Sequence, residues 1–339
     1  MDLAAIWFVL LGVLLAGYAI LDGFDLGVGI LHPLARTDVE RRTFINAIGP
    51  IWDGNEVWLI TFGGALFAAF PMAYATVFSA FYIPFMLLLC ALILRAVSIE
   101  FRSKIAGPGW RRFWDWSFFG SSLLAALLFG VAVGNAMMGI PLDERGVFIG
   151  TFFDFLKPYT ILTGLLSVAL CAMHGAIYLF LKTQEGPLHR RVQSWTWHTW
   201  GVFLALYLLT TIYTLIVLPQ PTRNFEQFPW VVAAVLVAVL AVANIPRSMY
   251  AGRPFQAFLS SSLAIASLIC LFAVALWPNL VTASNEPDYH LTVYRAASSE
   301  KTLGIMLTIA LIGLPFVLAY TAAVYWTVRG KVEVEEGGY

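Results

Sequence analysis

Nine apolar runs dominate this 339-residue sequence, and they constrain its fold more than any motif does. A helix rises 1.5 Å per residue and the hydrocarbon core of a bilayer is about 30 Å thick, so a spanning helix shows as roughly 20 apolar residues. The runs fall at about 4–31, 50–70, 74–96, 115–138, 156–181, 195–218, 229–246, 255–277 and 302–327. Helix breakers separate them: His32-Pro33, Phe70-Pro71, Lys157-Pro158 and Pro219. Only 12% of residues are charged, about half the share of a soluble domain. The reading is an all-α polytopic membrane protein, one integral domain over 1–339, built as two four-helix bundles plus one extra helix. No connection is long enough for a separate extramembrane domain, so the chemistry lies within or beside the membrane.

Lys plus Arg and Asp plus Glu each number 20. That balance lacks the basic footprint of a nucleic-acid binder. Position says more than the sum. With the N-terminus outside, the inner segments hold Arg36, Arg41, Arg42, Arg95, Arg102, Lys104, Arg111, Arg112, Lys182, Arg190, Arg191, Arg247, Arg253, Arg329 and Lys331, 15 of the 20 cations. Arg145, Lys157, Arg223, Arg295 and Lys301 remain outside. Cytoplasmic loops carry the excess of Lys and Arg, which predicts N-out, C-in. Trp110, Trp114, Trp116, Trp195, Trp197, Trp200, Trp230, Trp277 and Trp326 near run ends suit an interfacial belt. No basic residue precedes the first run and no small-residue cleavage pattern follows it, so the first helix is expected to be retained. Cys90, Cys171 and Cys270 sit singly in apolar runs and read as small core hydrophobes, with no CxxC site and no disulfide framework.

A carboxylate inside a span costs about 2.5–3.5 kcal/mol or more, so each one needs a reason. Asp22 and Asp25 lie in Leu21-Asp22-Gly23-Phe24-Asp25-Leu26-Gly27-Val28-Gly29, towards the inner end of the first span. Asp53 and Glu56 lie in Trp52-Asp53-Gly54-Asn55-Glu56-Val57-Trp58, at the inner start of the second. The i, i+3 spacing puts each pair on one helix face. Asp22 lies about 14 Å inside the first span and Asp53 only about 4–5 Å inside the second, from the rise per residue. Together they make a graded acidic cluster opening towards the cytoplasm, the layout of a proton-uptake route. Crowding of like charges favours a retained proton among them. The structural alternative has these acids capping helix ends or paired with Arg41, Arg42 or Arg95; in a first helical turn the macrodipole alone suits Asp53 and Glu56. Gly23 and Gly27, with Gly29 beyond, mark close packing in the first span, and Gly54, Gly63 and Gly64 the same in the second.

Of five histidines, His32, His189 and His290 fall at span ends or in loops, where a solvated ring needs no special role, and His198 sits among interfacial tryptophans. His174 is the one near mid-membrane. It reads as a satisfied core histidine or a member of a proton path, because bis-His haem ligation needs a second histidine at its depth.

Taken together, Asp22-Gly23-Phe24-Asp25-Leu26-Gly27-Val28-Gly29, Trp52-Asp53-Gly54-Asn55-Glu56-Val57-Trp58-Leu59-Ile60-Thr61, Gly63-Gly64-Ala65-Leu66-Phe67-Ala68-Ala69 and Phe101-Arg102-Ser103-Lys104 resemble subunit II of the cytochrome bd-type quinol oxidases, a family with a cyanide-insensitive branch. The motifs cover the first hundred residues densely; beyond them the likeness lies in length and nine-span layout. The resemblance implies a respiratory subunit of the bacterial cytoplasmic membrane, in a complex that oxidises ubiquinol or menaquinol and reduces dioxygen to water. It implies a heterodimer with subunit I, which carries two b-type haems and one d-type haem, while this chain binds none. It allows for a small single-helix accessory subunit and a bound quinone, and it places Asp22, Asp25, Asp53 and Glu56 on a cytoplasmic proton route; some members have Gln where Glu56 stands. Two rival readings remain at this point. One is a proton-coupled transporter, since acids beside glycine-rich helices also mark substrate paths; the other is a scaffold subunit whose acids only lock helices together.

Overall fold

The computed structural model describes residues 2–333; residue 1 and residues 334–339, the outermost parts of the predicted domain, lie outside the described residues. Helix α1 (Leu3–Leu31) starts on Asp2, whose carboxylate accepts from the Ala5 amide at 3.0 Å, and ends in a short 3-10 turn at His32–Leu34. Then come α2 (Asp38–Ile48), α3 (Trp52–Ala69), α4 (Pro71–Ala80), α5 (Tyr82–Phe101), α6 (Pro108–Met138), α7 (Pro158–Lys182) and α8 (Pro187–Val217). The chain continues through α9 (Pro219–Gln227), α10 (Val231–Tyr250), α11 (Pro254–Leu276), α12 (Val293–Ala296) and α13 (Glu300–Thr327). Proline occupies the first position of α4, α6, α7, α8, α9 and α11, where its missing N–H is no loss.

Among the described residues, eight helices are long and apolar enough to cross a membrane. The remaining predicted span, 50–70, is α3, 18 residues long, whose opening Trp52-Asp53-Gly54-Asn55-Glu56 lowers its apolar content. The predicted third span, 74–96, needs correcting: it is two helices, α4 and α5, broken at Phe81. Pro84 explains the break, since it has no N–H for the Ala80 carbonyl and its ring would crowd that group.

The helices pair as two bundles and a remainder. In the first, α1 packs on α3 and α6, and α5 packs on α6; in the second, α7 packs on α8 and α11, and α10 on α11. Contacts of α7 with α1 and α6 join the two, and α13 lies against α1 and α3. At the closest crossing, a Cβ on Gly27 would stand 1.9 Å from the Cys171 carbonyl oxygen, so only glycine lets α1 meet α7 there. The second-span glycines do not repeat this. Among the described residues, nothing beyond the nearby backbone of α3 itself lies within 4 Å of a Cβ built on Gly54, Gly63 or Gly64, because much of α3 is open. Two further expectations also change: Trp114 is buried against Phe101, Trp110 and Phe113, and Cys90 is exposed on the flank of α5.

Direct contacts define two ends. At one, Asp2 meets Tyr294, Trp7 donates to the Leu303 carbonyl, and the segment after α6 joins a small antiparallel pair, β1 (Asn279–Val281) and β2 (Leu291–Thr292), through Ile140 and Ala283. At the other, Lys182 donates to the Val328 carbonyl, Arg191 pairs with Glu40, and Arg102 and Arg111 pair with Asp38. The segments that meet at this second end, 32–51, 101–112, 182–191 and 328–332, carry most of the cations assigned above to the inner face.

Candidate functional site: a buried cluster of acids on one arginine

Because Gly23 and Gly27 turn one face of α1 to α7, Asp22 and Asp25 face α5 and α3 instead. Both aspartates are fully buried. Arg95 on α5, also fully buried, donates from Nη2 to Asp22 Oδ1 at 2.6 Å, and the same nitrogen donates to Glu56 Oε1 on α3. Asp25 takes a different partner: Asn55 Nδ2 donates to its Oδ2 at 2.7 Å and to the Leu21 carbonyl at 3.2 Å. Tyr325, near the end of α13, donates to Asn55 Oδ1 at 2.8 Å. Four helices thus converge on one polar centre.

The four predicted acids are not equivalent. Asp22 and Glu56 are brought together on Arg95, and Asp25 lies one helical turn from Asp22 on the same helix. Glu56 has its side chain 23% exposed, and Asp53, one turn before it, is exposed. Asp53 makes no hydrogen bond or ion pair among the described residues. It stands at the polar end of an exposed stripe, Asp53, Val57, Ile60, Gly64 and Phe67, at helical spacing along α3. Of the structural pairings considered above, the one with Arg95 is present for Asp22 and Glu56; Arg41 turns instead to Asp115.

Asp22 Oδ2, Asp25 Oδ1, Arg95 Nε and Nη1, and Tyr18 Oη, one turn above Asp22, are buried without a partner among the described residues. Groups like these are ordinarily satisfied by ordered water. Sequence reasoning passed over Asn55 and Tyr325, which are neutral and unremarkable for their positions. They join the site only because the fold brings residues 270 apart in sequence together.

His174 has both ring nitrogens engaged. Nε2 donates to the Ile20 carbonyl at 3.1 Å, and Nδ1 lies 2.7 Å from Ser261 Oγ. With no free lone pair, this ring does not fit an iron ligand. His32, expected to be solvated, is buried instead and bonds Asp115 at 2.6 Å. It is covered because the segment after α1 folds back under α2 and α6, stacking the ring edge against Phe44 and Phe118.

Fold and site define a polytopic helical membrane protein with an ionisable centre in its core and one polar-ended helix open on its flank. Comparison with known proteins narrows this. Residues 3–328 match the family model for cytochrome bd terminal oxidase subunit II, and the chain belongs to that family. It is 37% identical to cytochrome bd-I ubiquinol oxidase subunit 2 of Escherichia coli K12, covering 98% of this chain and 95% of that one. It is 34% identical to cytochrome bd ubiquinol oxidase subunit 2 of Bacillus subtilis, covering 98% and 97%. A chain in the structure of bd oxidase from Geobacillus thermodenitrificans shares the fold with a TM-score of 0.81 at 17% identity, covering 97% and 99%. Membership makes the chain one subunit of an oxidoreductase complex in the bacterial inner membrane, and the transporter reading falls away.

Proposed function

We propose that this chain supplies protons from the cytoplasmic side to a haem-bearing partner subunit, in a complex that oxidises ubiquinol or menaquinol and reduces dioxygen to water. The relatives named as ubiquinol oxidase subunits support the overall reaction. The carrying observation for the proton role is Arg95 holding buried Asp22 and part-exposed Glu56 on one nitrogen, with Asp53 one turn outward on an open face.

A proton taken up at Asp53 has short steps available to it. It passes to Glu56, one turn along α3, then across the Arg95 bridge to Asp22, with Asp25 next on α1. One guanidinium bonds two carboxylates, with Asp25 a helical turn away, so mobile protons balance the remaining negative charge, and the orphaned oxygens of Asp22 and Asp25 suit bridging water. Asn55 and Tyr325 hold Asp25 in place. An acid facing lipid is costly, so the stripe of α3 that begins at Asp53 faces the partner subunit or water. The haems belong to that partner, in keeping with a core histidine that has no nitrogen to spare.

The scaffold reading keeps a specific observation on its side, the same Arg95 bridge, which locks α1, α3 and α5 together. Asp53 separates the two. The D53N variant is expected to lower quinol oxidase turnover about ten-fold or more, with an unchanged haem spectrum and with recovery in D53E. Full turnover in D53N would leave the acids a structural role only.

A further inference from the structure

A second ionic cluster stands at the basic end of the molecule, where α1 stops. Asp115, two turns into α6, accepts from His32 Nε2 at 2.6 Å and from Arg102 Nε at 2.5 Å, with Arg41 Nη1 at 3.4 Å. Asp38 accepts from Arg102 Nη2 at 2.8 Å and from Arg111 Nη1 at 3.0 Å. In front of this network opens a cavity of about 550 Å³, lined by His32, Arg41, Arg111, Arg112 and Trp116 together with the two aspartates.

Three features of the cavity point to an anion. Three guanidiniums, those of Arg41, Arg111 and Arg112, line the cavity with two carboxylates, and both carboxylates are also held from behind by Arg102, so the wall is net positive in a chain of zero net charge. The Nε–H donors of Arg41 and Arg111 are buried without a partner among the described residues. Pro108, the first residue of the 31-residue helix α6, is also in the wall, so the positive end of that helix dipole lies at the cavity. Guanidinium groups suit phosphate because their paired N–H donors match two of its oxygens.

The surroundings select the source of the phosphate. On the membrane side, Phe113 and Trp116 follow Arg112 along α6 and are 60% and 56% exposed. These rings are placed to meet acyl chains, and basic pockets between helices at the cytoplasmic border suit lipid headgroups. We propose that this cavity binds the phosphate of an anionic phospholipid, with Arg41, Arg111 and Arg112 on the headgroup and Phe113 and Trp116 along the tails. Asp115 holds Arg41 and Asp38 holds Arg111 in place for it.

The test uses the purified oxidase complex, stripped of lipid in detergent and titrated with dioleoylphosphatidylglycerol or dioleoylphosphatidylcholine under native mass spectrometry. Arg112 is exposed and makes no hydrogen bond or ion pair among the described residues, so R112Q leaves the Asp115 network intact. The expected result is preferential retention of phosphatidylglycerol by the wild type. Retention should weaken about five-fold in R112Q and further in R41Q/R112Q, with an unchanged haem spectrum reporting intact assembly. Should the double variant not assemble, R112Q alone decides. Equal retention of the two lipids, or wild-type retention of phosphatidylglycerol in R112Q, overturns the proposal. Displacement of phosphatidylglycerol by millimolar inorganic phosphate would assign the cavity to a soluble anion and overturn the lipid site.

Discussion

Arg95 carries the polar centre at the scale of single residues. Removing one partner of a buried ion pair leaves an uncompensated charge, which costs about 3–5 kcal/mol, and Arg95 has two acids depending on it. R95A is therefore expected to reduce recovery of the assembled complex sharply and to lower its thermal midpoint; wild-type stability would show that water alone suffices for Asp22 and Glu56. Asp53 behaves differently because its side chain has no partner to lose among the described residues, which makes its substitution the cleaner probe of chemistry. Asp22, Asp25, Asp53 and Glu56 were legible in the sequence because charges inside apolar runs stand out. Which acid meets which partner was not: Asn55 and Tyr325 give no local signal, and the choice of Arg95 over Arg41 follows from helix packing alone.

At the scale of elements, glycines on α1 and α3 do opposite things although their spacing in the sequence looks alike. Gly27 meets the α7 backbone, so G27V should abolish accumulation of the folded subunit. A side chain at Gly64 meets nothing among the described residues, so G64V should leave the subunit itself intact and instead lower the amount of partner recovered with it, measured by affinity purification through a tag on this chain. Equal partner recovery would show that the α3 stripe is not the contact. Helix α2, outside the membrane, is tied to α8 by Glu40 and Arg191 at 2.6 Å. Partial burial pushes the Glu40 carboxyl up, but Arg191 and the Arg36 amide outweigh it and hold the group below its ordinary 4.5. A folded pKa below the unfolded one means that the tie contributes fully above about pH 4.5 and is lost as pH falls through the folded value. An acid titration of thermal stability should show this limb in the wild type, and E40Q should flatten it. The spans were legible from hydropathy, whereas the break at Phe81 required attention to Pro84, a residue that an apolar average conceals.

Over the whole molecule, equal numbers of acids and bases resolve into a polarity. The segments gathered at one end carry most of the cations, while four of the anions enter the first bundle along α1 and α3. With the basic end cytoplasmic, as the distribution of Lys and Arg predicts, the open flank of α3 at Asp53 lies on the side from which the proposed route takes its protons. The proposed role makes this subunit a proton supply and not only a brace for its partner. Proton uptake tests that directly: the oxidase is reconstituted with its cytoplasmic face towards a pH-sensitive dye, and dioxygen is admitted to the quinol-reduced enzyme. The account predicts uptake about ten-fold slower or more in D53N, restored in D53E, with haem content the same in all three proteins. Uptake at the wild-type rate in D53N, with haem content intact, would contradict it.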